Sequence, residues 1–207
     1  MPIHHLLYRC PLCNSETSVS EPDLTSCASC GTKFSKSTKS QILVQTQRKD
    51  PYLTSAFSLM SRMEEYLKLE SELMEAHQNL LRSEAVLGTV SEYLPMYCGG
   101  KLLGYTEVII EQISGFLLLE NTLEFVDKNG KDILHRWDFE QLNSLLISSK
   151  AIQIYIKKEG LYQFRLIKDS PKLWEDSLKK SVERFYLVQG LEVFTYQPVI
   201  KTRKVTT

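Results

Sequence analysis

The chain has no net charge: 25 Lys and Arg stand against 25 Asp and Glu in 207 residues. A protein so balanced has no overall field to draw in nucleic acid or an anionic membrane, so any such contact must come from a local patch. No apolar run approaches the roughly 20 residues of a membrane-spanning helix. The opening Met-Pro-Ile-His-His-Leu-Leu-Tyr-Arg lacks the long apolar stretch of a signal peptide. These absences predict a cytoplasmic protein. Phosphate-cradling glycine loops, nucleophile–base motifs and paired-carboxylate patterns are also missing, which predicts a protein that is not an enzyme. His135 and Asp138 are close in sequence. Three residues apart in a strand-like run, they face opposite sides and read as structural.

Acid is missing altogether from one stretch, Gly31 to Lys49, which carries Lys33, Lys36, Lys39, Arg48 and Lys49. Its Ser, Thr and Lys content reads as a solvated basic linker over 37–50, and its charge alternatively as a contact strip for phosphates or lipid headgroups.

Cysteine is sparse but ordered. Cys10-Pro11-Leu12-Cys13 is followed, after thirteen intervening residues, by Cys27-Ala28-Ser29-Cys30-Gly31. In a reducing compartment paired thiols are metal ligands more often than disulfides. Each CxxC puts two sulfurs on one tight turn, and two such turns complete the tetrahedron that zinc prefers. Four thiolates leave no open position for water, so one structural Zn2+ is expected rather than a catalytic ion. Pro11 suits the first turn, and Gly31 supplies a positive φ after the last cysteine. Over residues 8–36 the sequence resembles the zinc-ribbon superfamily, whose knuckles commonly read Cys-Pro-x-Cys and Cys-x-x-Cys-Gly. Residues 1–36 are accordingly assigned to a zinc ribbon. His4 and His5 read as a loose end, and Cys98, without a partner, as a small buried or half-buried apolar residue.

From Asp50-Pro51 to Arg82 there is no further Pro and no Gly. Leu53, Phe57, Met60, Met63, Leu67, Met74 and Leu81 fall at three- and four-residue steps, predicting an amphipathic connecting helix over 51–82. Glu70 and His77 interrupt the stripe, which argues against a long zipper. Docking within the chain and homodimerisation through this helix are both consistent with it.

Beyond Ser83 the pattern changes to short apolar runs, at 85–93, 105–112, 115–119, 122–126, 133–137, 151–156 and 162–167, separated by Gly-bearing turns. These predict about seven antiparallel strands. Asp169-Ser170-Pro171 then opens a helix with Leu173, Trp174, Leu178, Val182 and Phe185 on one face. Four features carry a resemblance to the GRAM and pleckstrin-homology (PH)-like superfamily: the segment Gly115-Phe116-Leu117-Leu118-Leu119-Glu120-Asn121-Thr122-Leu123-Glu124-Phe125, the loop Trp137-Asp138-Phe139-Glu140-Gln141-Leu142, the run Tyr162-Gln163-Phe164-Arg165-Leu166, and Trp174 with Leu178. It implies a bent antiparallel sheet closed by a C-terminal helix, spanning 83–190, and binding to lipid or protein. The stretch Tyr93–Tyr105 holds only Lys101 as a charge, beside Met96 and Tyr97. One ammonium cannot hold a multivalent phosphate, so the expected contact there is with a membrane surface or protein partner. Residues 191–207 read as an added edge strand and a flexible basic tail.

The fold class expected is therefore α+β: zinc ribbon, connecting amphipathic helix, and PH/GRAM-like sheet. The function expected is that of a non-catalytic adaptor binding a protein partner or membrane. The alternatives are a nucleic-acid-associated factor using Lys33 to Lys49, and an accessory part of a larger lipid-handling enzyme.

Overall fold

A computed structural model of the chain describes residues 3, 6–15, 17–21, 23–38, 41–47, 49–73, 81–147 and 151–205. The fold is mixed α+β and divides into two compact units, Met1–Gln78 and Asn79–Thr207.

In the first unit, strands β1 (Thr17–Glu21), β2 (Leu24–Cys27), β3 (Lys33–Lys36), β4 (Gln41–Gln45) and β5 (Tyr52–Ser55) form a meander in sequence order, antiparallel throughout. Thr25, Phe34 and Val44 face one another across three strands and are fully buried. Helix α1 (Ala56–Leu73) adds Leu59 and Met63 to the same core, where Ile3, Leu7 and Ile42 also pack.

Two expectations are corrected here. The stretch 37–50 is not all linker, because β4 lies within it: Ile42 and Val44 are buried while Gln41 and Gln45 are exposed, a period of two set among polar neighbours. The helix does not start at Pro51. Residues 52–55 pair with β4, and the Ser55 hydroxyl accepts the Ser58 N–H at 3.0 Å, which caps the helix one turn later. The buried stripe shifts with it. Leu59 and Met63 are inside, whereas Leu53 and Phe57 are exposed, Phe57 by 75%. Met74 and His77 lie outside the described residues, as do His4 and His5.

The second unit is built on strands β6 (Leu81–Cys98), β7 (Lys101–Leu119), β8 (Leu123–Val126), β9 (Ile133–Trp137), β10 (Leu142–Ile147), β11 (Ile152–Ile156) and β12 (Gly160–Leu166). They form one antiparallel sheet in the order β10-β11-β12-β6-β7-β8-β9. Helix α2 (Pro171–Val188) buries Trp174, Leu178 and Val182 in the sheet's core, and the Trp174 indole N–H donates to Ser83 Oγ at 2.6 Å. Gly115 is required by packing, since a Cβ there would stand 2.1 Å from the Val126 carbonyl oxygen.

Seven strands are present, but two are drawn differently from the sequence expectation. The runs at 105–112 and 115–119 are one strand, β7, and β10 has no counterpart among the expected runs. In β10 a register shift between Leu142 and Ser144 puts Leu142 and Leu145 both inside, so the run never shows a clean alternation.

The chain's last segment is also corrected. Rather than an edge strand and a loose tail, β13 (Leu191–Thr195) and β14 (Lys201–Lys204) make a separate hairpin, with an ion pair between Arg203 and Glu192. The connection between them lies along β10: Leu145 N–H donates to the Tyr196 carbonyl at 3.3 Å, and Ile200 N–H to the Asn143 carbonyl at 2.6 Å. Among the described residues no helix is long and apolar enough to cross a membrane.

Candidate metal centre and contact surface

The two CxxC turns are copies of one backbone device. In the first, Asn14 N–H donates to the Cys10 carbonyl at 2.8 Å, and Cys10 N–H to the Ser15 carbonyl at 2.8 Å. In the second, Gly31 N–H donates to the Cys27 carbonyl and Cys27 N–H to the Thr32 carbonyl, both at 2.9 Å. Each turn closes on a residue of positive φ just after its second cysteine, +61° at Asn14 and +68° at Gly31. Sequence reading found Gly31 and missed Asn14, which fills the same place because asparagine tolerates the left-handed region.

The two turns bring Cys10, Cys13, Cys27 and Cys30 together, with all four sulfurs within 4.8 Å of one another. Cys10 Sγ lies 3.6 Å from Cys30 Sγ, and Cys13 Sγ lies 3.5 Å from Cys27 Sγ. A tetrahedral ion with metal–sulfur bonds of ~2.3 Å would set its sulfurs ~3.8 Å apart, so this is an arrangement able to hold a metal ion.

The thiols differ in acidity. Burial pushes Cys10 and Cys27 up. At Cys13 burial acts the same way but is outweighed by hydrogen bonds from Ser15, then from Cys27 and Cys30, which bring it down to about 6. A metal taken up by this set therefore displaces protons. Beside the first turn, a shallow groove of about 250 Å³ is lined by Pro11, Leu12, Arg62, Glu65 and Tyr66, a set without a nucleophile–base pair.

The basic stretch does not converge on one face. Lys33 and Lys36 are three apart on a regular strand, so their side chains leave opposite sides of β3, and Lys36 lies 4.0 Å from Asp23. Lys49 is exposed, while Lys39 and Arg48 lie outside the described residues.

Met96, Tyr97 and Lys101 come together at the far end of an arm. β12 pairs with β6 only over Ala85–Thr89, and β8 with β7 only over Phe116–Leu119. Beyond these, the two central strands continue as a two-stranded ribbon that turns at Gly99 and Gly100, both with positive φ as a two-residue hairpin loop needs. Tyr97 is 64% exposed and Leu103 69%, while Tyr93, Leu94, Met96, Leu102 and Tyr105 are also exposed. Cys98, expected inside, is exposed at the tip, because the turn places it beyond the sheet.

The arm's root is held by a buried polar group. The Gln153 amide N–H2 donates to Glu107 at 3.1 Å and to Gln163 at 2.7 Å, while its oxygen accepts the Tyr93 hydroxyl at 3.2 Å. Burial, and then the Glu107 charge, push the Tyr93 phenol upward. Sequence patterning could not flag this cluster, whose bonded pairs lie 10 to 60 residues apart.

His135 stacks on Trp137 with ring centroids 5.1 Å apart, while Asp138 opens a single 3-10 turn at Phe139–Gln141. Searched against protein-family models and against curated proteins, the chain matches none.

Proposed function

We propose that the protein is a non-catalytic, zinc-containing adaptor. Its N-terminal unit is a ribbon folded around one structural Zn2+, and its C-terminal unit is a PH/GRAM-like binding domain that engages a membrane surface or protein partner through the β6–β7 arm. Four thiolates at these distances suit zinc and fill its coordination shell, which supports a structural ion. A seven-stranded antiparallel sheet with α2 packed over it is compatible with a PH-like domain.

The observation that carries the reading is the arm: a ribbon that runs on past the strands flanking it and exposes a patch of large apolar side chains. Patches of that kind on a folded protein mark interaction sites. The test is a photo-crosslinking amino acid at position 97 in cells, with a second at exposed Lys158, off the arm, as control. Adducts to lipid or protein from position 97 alone are expected. Their absence, or equal labelling from both positions, would overturn the arm as the contact surface.

A further inference from the structure

Resting on the arm as contact surface, we infer that its occupant is the headgroup–hydrocarbon boundary of a lipid bilayer, recognised without reference to any particular headgroup.

The distribution of side chains about the ribbon carries this. Partners opposite one another across an antiparallel pair share a face. Tyr97 lies opposite Leu102 and Pro95 opposite Tyr105, which makes one face aromatic and aliphatic. Leu94 and Met96 project from the other, and Leu103 stands out opposite the register shift between Met96 and Tyr97. Both faces thus carry exposed apolar side chains, with Thr106, Gly104 and Lys101 set among them on the second and Glu107 at the root of the first. A flat protein surface laid against the ribbon covers one face and leaves the other in water.

Area argues the same way against a second copy. Six residue pairs, Tyr93–Cys98 with Lys101–Glu107 and Leu103 unpaired at the register shift, make a ribbon about 20 Å long and about 10 Å wide. Covering one face would bury roughly 200 Å² per copy, far below the ~800 Å² per partner of a stable interface. Strand addition along the edges is also impeded. Pro95 lacks an N–H, and register shifts interrupt the ribbon between Val90 and Glu92 and between Met96 and Tyr97.

A bilayer interface meets these conditions. Its boundary zone accepts apolar side chains to a depth of about 5–10 Å, comparable with the thickness of a ribbon, and so surrounds both faces. Tyrosine, with an apolar ring and a polar tip, suits that zone, and the arm presents Tyr97 and Tyr105 beyond its root. The ribbon's unpaired edge groups stay hydrated among the headgroups, which limits insertion to the interface. The six pairs carry one cation, Lys101 at the tip, and one carboxylate, Glu107 at the root, so attraction to anionic lipid is a minor part of binding.

The test is flotation of the metal-loaded full chain with phosphatidylcholine vesicles, alone and with phosphatidylserine, at low and physiological salt. Binding to both, little changed by salt, is expected. Lys101→Ala should weaken binding to the anionic vesicles by about five-fold or less, one lysine's share. Tyr97→Ser with Leu103→Ser should abolish flotation while metal content and thermal unfolding stay unchanged, since both side chains are already in solvent. An environment-sensitive dye on Cys98, the cysteine outside the metal cluster, should shift to the blue on adding vesicles. Flotation that needs phosphatidylserine and vanishes with salt overturns the inference, as does flotation surviving the double substitution. So does an absence of flotation. If position 97 then crosslinks to protein, the arm still stands as the contact surface and only its lipid occupant is lost.

Discussion

The two units solve the same problem with different means. Among the described residues the C-terminal core contains eighteen buried apolar side chains, including Trp137, Trp174, Phe125 and Phe164, and it closes on itself with a helix. The N-terminal core contains nine, and two of those are Cys10 and Cys27. With so few buried side chains, that unit is expected to draw much of its stability from the ion its cysteines can hold. The expected contrast is one unit conditional on metal and one that is not.

The sharpest way to break that contrast is to remove the metal. Chelation, or Cys27→Ser, should unfold the N-terminal unit, a loss on the order of 10 kcal/mol. Amide hydrogen exchange should then collapse in β2 to β4 and stay unchanged in β11 and β12. Protection persisting in β2 to β4 would show that burial suffices there.

The converse substitution is Trp174→Ala. Removing a fully buried indole and its bond to Ser83 should cost the C-terminal unit about 3–5 kcal/mol, read from its denaturant midpoint, with bound metal per chain unaltered. A fall in metal content would mean that the two units are not independent.

A subtler probe lies in the first cysteine turn. Asn14→Ala forces a Cβ-bearing residue without asparagine's local polar compensation into the left-handed region, costing ~1–2 kcal/mol. Metal affinity in a chelator competition should drop several-fold to about thirty-fold, while Asn14→Gly should hold it near the starting value. Equal affinities for the two would remove the structural equivalence of Asn14 and Gly31.

The smallest expected effect concerns pH and the C-terminal unit alone. Tyr196 donates to Glu183 at 2.8 Å and to the Lys179 carbonyl at 3.0 Å, and burial, then the Glu183 charge, raise its phenol well above the ordinary value. The folded state thus holds this proton more tightly than the unfolded chain. The stabilisation is complete below the tyrosine range and declines as pH rises past about 10, where the unfolded phenol ionises first. Tyr196→Phe should lower stability by about 1–2 kcal/mol at neutral pH through its lost hydrogen bonds, and make the alkaline decline in thermal midpoint shallower. An unchanged slope would assign that decline to Tyr93, Tyr162 and Tyr186, whose phenols are also raised.

What the residues disclose unaided follows from how local each signal is. The metal centre is legible because CxxC writes half a coordination sphere into four positions, and α2 because Ser170-Pro171 and the Trp174–Leu178–Val182 face are all short-range. Asn14 is hidden, since the conformation it adopts has no single residue type attached to it. β10 is masked by its bulge. The true start of α1 is obscured because Asp50-Pro51 imitates a helix opening, while Leu43 and Leu53, ten residues apart, pair as strands. Patterning divides the arm into two shorter strands around a turn. Pro95 and Gly104 look like breaks, and nothing within either strand states that Cys98 and Lys101 remain paired at the end of a ribbon that begins at Leu81.

The strip formed by residues 196–200 along β10 bears on how this protein can be handled. A chain cut at Gly190 would keep every residue of the seven-stranded sheet and of α2. It would also expose an outer strand whose Leu145 N–H and Asn143 carbonyl had been occupied by the removed segment. Such a bare edge beside the apolar Leu146 and Tyr155 is a template for stacking one molecule onto the next. Shortened versions should therefore be lost to insoluble assemblies during preparation, the more so because Val193, Tyr196 and Ile200, half-buried against the core, would go with the cut.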